Sequence, residues 1–397
     1  MPVPAPSELA RHWAIDPEVT YLNHGAYGAC PREVLAFQSE LRARMEANAM
    51  KFFLHDLEGL LDHARGHLAA FLRADPEELV FVDNATTGVN TVLRSLVFEP
   101  GDEVLTTDHA YNACANALRA VAGRTGARVV VARVPFPLDG PEQVTEAVLA
   151  AVTPKTRLVL LDHVTSPTGI IFPLETLVPR IQGMGVDVLV DGAHAPGMIP
   201  VDLQTLGAAY YTGNCHKWLC APKGAAFLQV RQDRRALIRP LTISHGANSR
   251  RTDRPRFRLE FDWVGTQDHT AYLSIPRAVE FVGGLVPGGW AAVRARNSAL
   301  ARKARAILCE TLEVAPPCPE SMLGSLATVQ LPEAKDSPTS VLESDPLQLA
   351  LRDRYQIEIP IFAWPSAPRR WIRVSPALHN SEAQYRYLAE ALRELLG

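Results

Sequence analysis

The sequence lacks an excess of either charge, since 40 lysine and arginine residues are matched by 43 aspartate and glutamate residues. The formal net charge of −3 gives no reason to expect binding to nucleic acid or to an anionic membrane. The first residues lack the basic and apolar regions of a secretory signal, and no uninterrupted apolar run reaches membrane-spanning length. These absences predict an ordinary soluble protein of the cytoplasm, with a chain of 397 residues that is long enough for two domains.

Cysteine is also scarce, and the six cysteines are scattered without a C-x-x-C pair or the spacing of metal ligands. We therefore expect reduced, buried thiols rather than a disulfide framework, and no metal site. The cysteines are Cys30, Cys114, Cys215, Cys220, Cys309 and Cys318.

Strand-like and helix-like segments alternate from residue 79 to residue 230, which predicts an α/β architecture with right-handed crossovers. Residues 158–161 form a continuous apolar run, as expected for a parallel strand covered on both faces. The predicted strands are 79–82, 103–106, 128–134, 156–162, 187–190, 208–212 and 225–230. The predicted helices include 32–48, 57–72, 88–97 and 110–125.

The pattern changes near residue 243, where an arginine-rich loop begins and is followed by a long helical region over 271–312. Further strands are predicted at 326–331, 357–361 and 371–374, with a last amphipathic helix over 381–396. The chain is thus expected to have an N-terminal arm (1–20), a large α/β domain (21–270) and a smaller α+β domain (271–397).

Five arginines lie between Arg250 and Arg258, just before the segment Trp263–Thr266, which we expect to be a strand that reaches the active site. One interpretation is a solvated surface loop. The other is that Arg256 or Arg258 binds a second acidic group of the substrate, because guanidinium forks suit carboxylates.

A lysine and an aspartate follow two neighbouring predicted strands: Lys217 in Asn-Cys-His-Lys-Trp, and Asp191 in Asp-Gly-Ala-His. Pyridoxal-phosphate enzymes need such a pair, because the lysine forms a Schiff base with the cofactor aldehyde and the carboxylate keeps the pyridine nitrogen protonated. We therefore predict pyridoxal 5'-phosphate as the cofactor, with Lys217 as acid or base at the substrate α-carbon. The alternatives are a surface lysine and, for Asp191, a helix N-cap.

A phosphate site is predicted at the start of the helix that follows the strand 79–82. Thr86, Thr87 and Gly88 lie there, and small residues leave backbone N–H groups free at a helix terminus that favours an anion. Asn214 and His216 flank the lysine and are expected to add donors to the phosphate. The alternative for the Thr-Thr-Gly segment is a plain helix cap.

Five more residues are candidates for contacts with the ring or the substrate. His109 and Tyr111 follow the next strand, and either could cover one face of the cofactor ring and take part in catalysis. Ser166, with His194 from the aspartate motif, is expected near the ring oxygen. Arg373 follows a short apolar strand and suits a substrate carboxylate, with a surface arginine as the alternative.

These motifs resemble the class V aminotransferase family of fold-type I pyridoxal-phosphate enzymes, most of all its isopenicillin N epimerase-like branch. The resemblance covers essentially the whole chain. The motifs that carry it are Leu22-Asn-His-Gly-Ala-Tyr-Gly28, Asn84-Ala-Thr-Thr-Gly88, Asp108-His-Ala-Tyr111, Asp162-His-Val-Thr-Ser-Pro-Thr-Gly169, Asp191-Gly-Ala-His194, Gly213-Asn-Cys-His-Lys-Trp218 and Asp262-Trp-Val-Gly-Thr-Gln-Asp268.

The resemblance implies a large domain around a seven-stranded, mostly parallel sheet and a homodimer with shared active sites. It makes Lys217 the Schiff-base lysine, Asp191 the partner of the pyridine nitrogen and Arg373 the carboxylate anchor. Thr266 is then expected to reach the phosphate from the partner chain, and Asn23 to contact the substrate.

The resemblance leaves the reaction on a small amino-acid-type substrate open. Epimerisation is favoured, C–S lysis of a cysteine conjugate is the alternative, and transamination is the third. Cysteine desulfurases of this superfamily carry a nucleophilic cysteine shortly before the carboxylate-anchoring arginine. Since residues 341–373 contain no cysteine, we do not expect sulfur transfer through a protein persulfide.

Overall fold

The largest sheet of the computed structural model, which describes residues 3–338 and 342–397, has seven strands. The strand order is β2-β8-β7-β6-β5-β3-β4, and β8 runs antiparallel to both of its neighbours, whereas the other pairs are parallel. The strands are β1 Thr20–Tyr21, β2 Leu79–Val82, β3 Glu103–Thr107, β4 Arg128–Ala132, β5 Thr156–Asp162, β6 Asp187–Asp191, β7 Tyr210–Asn214, β8 Ala226–Val230, β9 Ala327–Leu331, β10 Ile357–Glu358, β11 Ile361–Ala363 and β12 Arg370–Val374. The α/β fold with a mostly parallel seven-stranded sheet is therefore confirmed.

The α-helices are α1 His24–Tyr27, α2 Arg32–Ala47, α3 Ala49–Lys51, α4 Leu57–Leu72, α5 Ala85–Ser95, α6 Asn112–Thr125, α7 Pro141–Ala150, α8 Leu174–Gly183, α9 Leu203–Leu206, α10 Arg256–Phe261, α11 Thr270–Leu273, α12 Ile275–Gly284, α13 Gly289–Leu312, α14 Pro346–Tyr355 and α15 Glu382–Leu396. A π-helical turn over Phe52–Asp56 joins α3 to α4. Within the described ranges, the helices include none with the length and apolarity that a membrane span requires.

Both faces of the sheet are covered, because successive side chains of a strand point to opposite sides. Leu158 and Leu160 of β5 belong to an apolar cluster with helices α5 and α6, whereas Val159 and Leu161 belong to the cluster that contains α8. All four side chains are buried. Burial of each such side chain contributes roughly 1.5–3 kcal/mol, which explains why the strand is a continuous apolar run.

The parallel strands bring several chemically active residues to one edge of the sheet. Strands β5, β6 and β7 end at Asp162, Asp191 and Asn214, and Lys217 follows in the turn after β7. Ligands of open α/β sheets bind at the carboxyl ends of the strands. The fold therefore assembles the candidate site here.

The C-terminal part of the chain contributes a three-stranded antiparallel sheet of order β11-β12-β9, in which Arg373 lies on the central strand β12. The N-terminal strand β1 pairs in parallel with β10, so that Thr20 is opposite Ile357 and Tyr21 opposite Glu358. This pairing ties the start of the predicted large domain to the predicted small domain. The division at residues 20 and 270 stays a prediction.

Two predicted strands differ from the structure. The segment 357–361 is split into β10 and β11, because Pro360 lies between them and has no N–H group to donate. The prediction of a strand at Trp263–Thr266 is wrong, since this segment consists of bends. Trp263 instead packs its ring against Phe53 and His269.

The arginine-rich segment is neither a loop throughout nor free for a substrate. Arg256 begins helix α10 and pairs with Glu260. Arg258 is buried and forms ion pairs with Asp62, Glu77 and Asp262. The prediction that Arg256 or Arg258 receives a second substrate carboxylate is therefore wrong, because internal carboxylates already engage both guanidinium groups.

We expect Arg258→Ala to lower the free energy of unfolding by about 1–3 kcal/mol, since it removes a buried side chain with its ion pairs while Arg65 and Arg254 still pair with Asp262 and Asp62. Arg250→Ala is the control, because Arg250 is exposed and surface changes of this kind usually stay within about 0.5 kcal/mol. Urea unfolding monitored by circular dichroism measures both values. Equal stability of the two variants would contradict the structural role.

Candidate active site

Lys217 lies in a cavity of about 270 Å³ at the carboxyl edge of the sheet. Burial and the positive charge of Arg373 lower the pKa of Lys217 to about 8, against the opposing effect of the Asp191 carboxylate. A substantial fraction of the amine is therefore neutral near physiological pH, which a nucleophilic or basic lysine requires.

The imidazole of His194 contacts this amine, with its Nε2 atom 3.2 Å from Nζ of Lys217. The indole N–H of Trp218 donates to Nδ1 of His194 at 3.3 Å, and burial, Lys217 and Arg373 all lower the pKa of His194 well below its usual value. A neutral imidazole whose Nδ1 accepts must carry its proton on Nε2. His194 therefore donates to the neutral amine of Lys217.

Two carboxylates lie side by side next to this cavity. Asp162 and Asp191 are register partners at the ends of β5 and β6, and both line the cavity. Burial and the charge of Asp191 raise the pKa of Asp162 well above its usual value, so that Asp162 keeps its proton. Asp191 accepts from the Ala193 N–H at 3.0 Å and from the Cys114 thiol at 3.1 Å. Asp191 thus accepts from a backbone N–H two residues later, as a helix N-cap residue does, and it also lines the cavity.

The start of helix α5 forms another wall. The side chain of Asn84 caps the helix by accepting from the Thr87 N–H at 2.8 Å, and Asn214 accepts from the Ala85 N–H at 2.8 Å. Thr86 lines the cavity.

Thr87 and Gly88, which we predicted in the phosphate cup, are not among the described residues that line this cavity. The N–H and hydroxyl groups of Thr87 are both bound to Asn84. Gly88 packs against β7, where a Cβ atom would lie 2.1 Å from Oγ1 of Thr212. The glycine is thus needed for close contact between helix and strand.

His216 lines the cavity next to Lys217 and donates from Nδ1 to the carbonyl of Ala225 at 3.0 Å. Burial, followed by the charge of Lys217, lowers the pKa of His216 to about 4. The ring is neutral in this state, so its Nε2 atom is an acceptor. A bound anion would favour proton uptake at that nitrogen.

The geometry separates the two aromatic candidates. His109 is fully buried, with Nδ1 at 2.7 Å from the Thr168 hydroxyl and Nε2 at 3.2 Å from the carbonyl of Val134. It lies outside the lining of the cavity, whereas Tyr111 is part of that lining. The structure therefore favours Tyr111 over His109 as the aromatic residue of the site.

Arg373 reaches the site from the C-terminal sheet. Its Nη1 donates to the carbonyl and the hydroxyl of Ser166, and burial lowers its pKa to about 10, which leaves it a cation. The Nε atom of Arg373 and the Oδ1 atom of Asn23 are buried and have no hydrogen-bond partner within the described part of the chain. Unpaired buried groups are costly and mark a place for a ligand.

A second cavity of about 620 Å³ adjoins the first and shares four lining residues with it. The residues that line both are Ala26, Tyr27, Tyr111 and Ser166, while Asn23, Arg373 and Trp364 line the larger one. Thr266 is exposed and lines neither cavity of its own chain. Its proposed contact with a partner chain stays a prediction.

Sequence reasoning missed Tyr27, Asp162 and Cys114 as parts of this site. Asp162 ends a predicted strand next to the strand of Asp191, which was a usable signal. Cys114 lies one helical turn after Tyr111 and carried no such signal. Among residues 3–338 and 342–397, no three His, Cys, Asp or Glu side chains are grouped so that they could hold a metal ion.

We expect Lys217 to react with acetic anhydride with a midpoint near pH 8, since its neutral amine appears as the pH rises through the lowered pKa. Exposed lysines ordinarily titrate near pH ~10.4, and the exposed Lys155 is the control in the same digest. Arg373→Met should raise the midpoint of Lys217, because the substitution removes a nearby positive charge. Competitive labelling read by peptide mass spectrometry tests this. A common midpoint for both lysines would contradict it.

Comparison with known proteins agrees with this geometry. A family model described as Aminotransferase class-V matches residues 20–334. The chain is 37% identical over 396 residues to an isopenicillin N epimerase from Amycolatopsis lactamdurans, covering 96% of each sequence. It is 30% identical to a probable chloroplastic L-cysteine desulfhydrase from Arabidopsis thaliana, covering 98% of this chain and 85% of that protein. The cystine C-S lyase C-DES, solved with cysteine persulfide, matches with a TM-score of 0.76 at 25% identity, covering 95% of this chain and 97% of that chain. The chain therefore belongs to the class-V aminotransferase family, whose enzymes depend on pyridoxal phosphate.

Proposed function

We propose that this protein is a pyridoxal-phosphate enzyme that moves a proton at the α-carbon of an amino acid with an extended side chain, and that the net reaction is epimerisation. The observation that carries the proposal is the arrangement of Lys217, Asp191 and Arg373 around two adjoining cavities. An amine and a carboxylate thereby face one cavity, and a guanidinium group faces the cavity beside it.

The residues present fit the cofactor. Lys217 offers a partly neutral amine for its aldehyde, and Asp191 offers a buried carboxylate for its pyridine nitrogen. The start of helix α5 at Thr86, with His216 across the cavity, suits its phosphate. We propose that Tyr111, which lines the cavity, covers one face of its ring, and that Ser166 and His194, which also line it, contact the ring oxygen.

When bound, pyridoxal phosphate supplies an electron sink that acidifies the α-proton of an amino acid. Lys217 then acts as the base or acid on one face of that carbon, because its amine has a pKa of about 8 and exchanges its proton near neutral pH, and inversion requires that a proton is returned on the opposite face. His194 holds Nζ in place through its Nε2–H group. The Trp218 indole fixes the tautomer that makes this contact possible.

Arg373 is the proposed anchor of the substrate carboxylate. Two of its nitrogen atoms have different roles, since Nη1 is held by Ser166 while Nε is buried and unpaired. A carboxylate bound at Nε would compensate the buried cation by a charge-assisted hydrogen bond. Such an anchor orients the α-carbon toward Lys217 and excludes water from the contact.

The size of the larger cavity favours an extended side chain. About 620 Å³ lies within the range of pockets that enclose drug-sized ligands, and a side chain as short as that of cysteine would leave most of it empty. The 37% identity to an isopenicillin N epimerase supports the same choice of reaction.

C–S lysis of a cysteine conjugate is the second candidate. The 30% identity to a probable L-cysteine desulfhydrase and the similarity to a cystine C-S lyase favour it. It uses the same base, Lys217, and differs in that the bond from the β-carbon to sulfur breaks. Neither cavity is lined by a cysteine in the described part of the chain, which argues against sulfur transfer through a protein persulfide.

The reaction is tested with amino acids and bulky cysteine conjugates in D₂O. Epimerisation should incorporate deuterium at the α-carbon and change the configuration without release of pyruvate or thiol. Lys217→Ala should abolish exchange, and Asp191→Asn should remove most of it, whereas Lys155→Ala should retain it. Stoichiometric pyruvate would establish the lyase instead. Exchange that survives in Lys217→Ala would overturn the assignment of the base.

We also propose that the working unit is a homodimer in which Thr266 reaches the phosphate of the partner subunit. Thr266→Ala should then weaken cofactor binding by about threefold to tenfold, the size of one hydrogen bond, and cofactor should be lost on dilution. Thr252→Ala, at another exposed threonine, is the control. Sedimentation with cofactor absorbance measures both effects. A monomer that keeps its full cofactor affinity would exclude the shared site.

A further inference from the structure

The thiol of Cys114 contacts the carboxylate of Asp191, a residue of the candidate cofactor site. Cys114 lies in the first turn of α6, and its Sγ atom is 3.1 Å from Oδ2 of Asp191. Both residues are buried. Burial and the Asp191 charge raise the pKa of the Cys114 thiol well above its usual value. The sulfur therefore keeps its proton and donates to the carboxylate.

The other neighbour of Asp191 does not replace this donor. Asp162, on the adjacent strand, keeps its own proton, and no hydrogen bond joins its carboxyl group to that of Asp191 in the described part of the chain. Asp191 is bound at Oδ1 by the Ala193 N–H and at Oδ2 by the Cys114 thiol. With one donor on each oxygen, the carboxylate is held against rotation about its Cβ–Cγ bond.

We propose that Cys114 is a positioning residue that fixes the plane of the Asp191 carboxylate and withdraws negative charge from it. The proposal rests on the function proposed above, in which Asp191 faces the pyridine nitrogen of the cofactor. Cys114 acts only through Asp191, and it lies outside the lining of the cavity.

The structure distinguishes this role from simple packing. A thiol that only filled space could be replaced by a methyl group with no effect beyond stability. A donor would be lost in Cys114→Ala and restored in Cys114→Ser, because a hydroxyl group also donates to a carboxylate. Cys309→Ala is the matched control, since Cys309 is buried in helix α13, far along the chain from the site.

The test uses the purified enzyme with pyridoxal phosphate and needs no substrate. We expect Cys114→Ala to weaken cofactor binding by about threefold to tenfold, because binding must then also order the Asp191 carboxylate that the thiol no longer holds. The pH midpoint of the absorbance of the bound cofactor should move upward, because the carboxylate then keeps more negative charge and favours retention of a proton nearby. Cys114→Ser should return both values to within about twofold of the parent.

Thermal unfolding of the apoprotein separates packing from positioning. A lower Tm in Cys114→Ala with unchanged cofactor affinity and pH midpoint would overturn the proposal and make the thiol a space filler. The same spectral shift in Cys309→Ala would also overturn it. A parent protein that binds no pyridoxal phosphate would overturn the proposed function itself, which is a different result from normal binding by Cys114→Ala.

Discussion

The burial of charge at one edge of the sheet is the constraint on which the candidate site depends. Two cations, Lys217 and Arg373, and two carboxyl groups, Asp162 and Asp191, lie in or beside the same enclosed space. Low polarity makes each unpaired charge costly, so the groups adjust their protonation to one another. Asp162 keeps its proton, Lys217 gives up its proton more readily than usual, and Arg373 remains a cation.

Much of this arrangement could be predicted because parallel strands impose an order on the residues that follow them. Lys217, Asp191 and Tyr111 all come directly after predicted strands, and the shared edge brings them together. Arg373 was predicted from its short apolar strand and from the family resemblance. Asp162 could have been found by the same rule, whereas Cys114 could not, since its role depends on the rotation of a helix that places its third residue against a neighbouring strand.

The arginine-rich segment shows where prediction from the local sequence pattern fails. Five arginines close together suggested either a solvated loop or an anion site, but Arg251, Arg254 and Arg258 pair with carboxylates almost two hundred residues earlier in helix α4. Arg65, fully buried in that helix, also binds Asp262 at the entrance to the Trp263–Thr266 segment. At the other end of the segment, Asp268 pairs with Arg42 and bonds to Thr270. The arginines thus anchor the segment that we propose to meet the partner subunit.

The pairing of β1 with β10 has a consequence for the order in which the chain is completed. All the residues proposed to hold the cofactor within one subunit precede residue 218, so that wall of the site can form while the rest of the chain is still being synthesised. Thr20 and Tyr21 can pair only after Ile357 and Glu358 have been synthesised. Asn23 can form its bridge only after Ser375 has been synthesised. Contacts between such distant parts of a sequence form late, because the intervening loop must close first. The N-terminal motif can therefore pack against the cofactor wall only after residues 357–375 have been synthesised, and Arg373 joins the substrate cavity at the same stage.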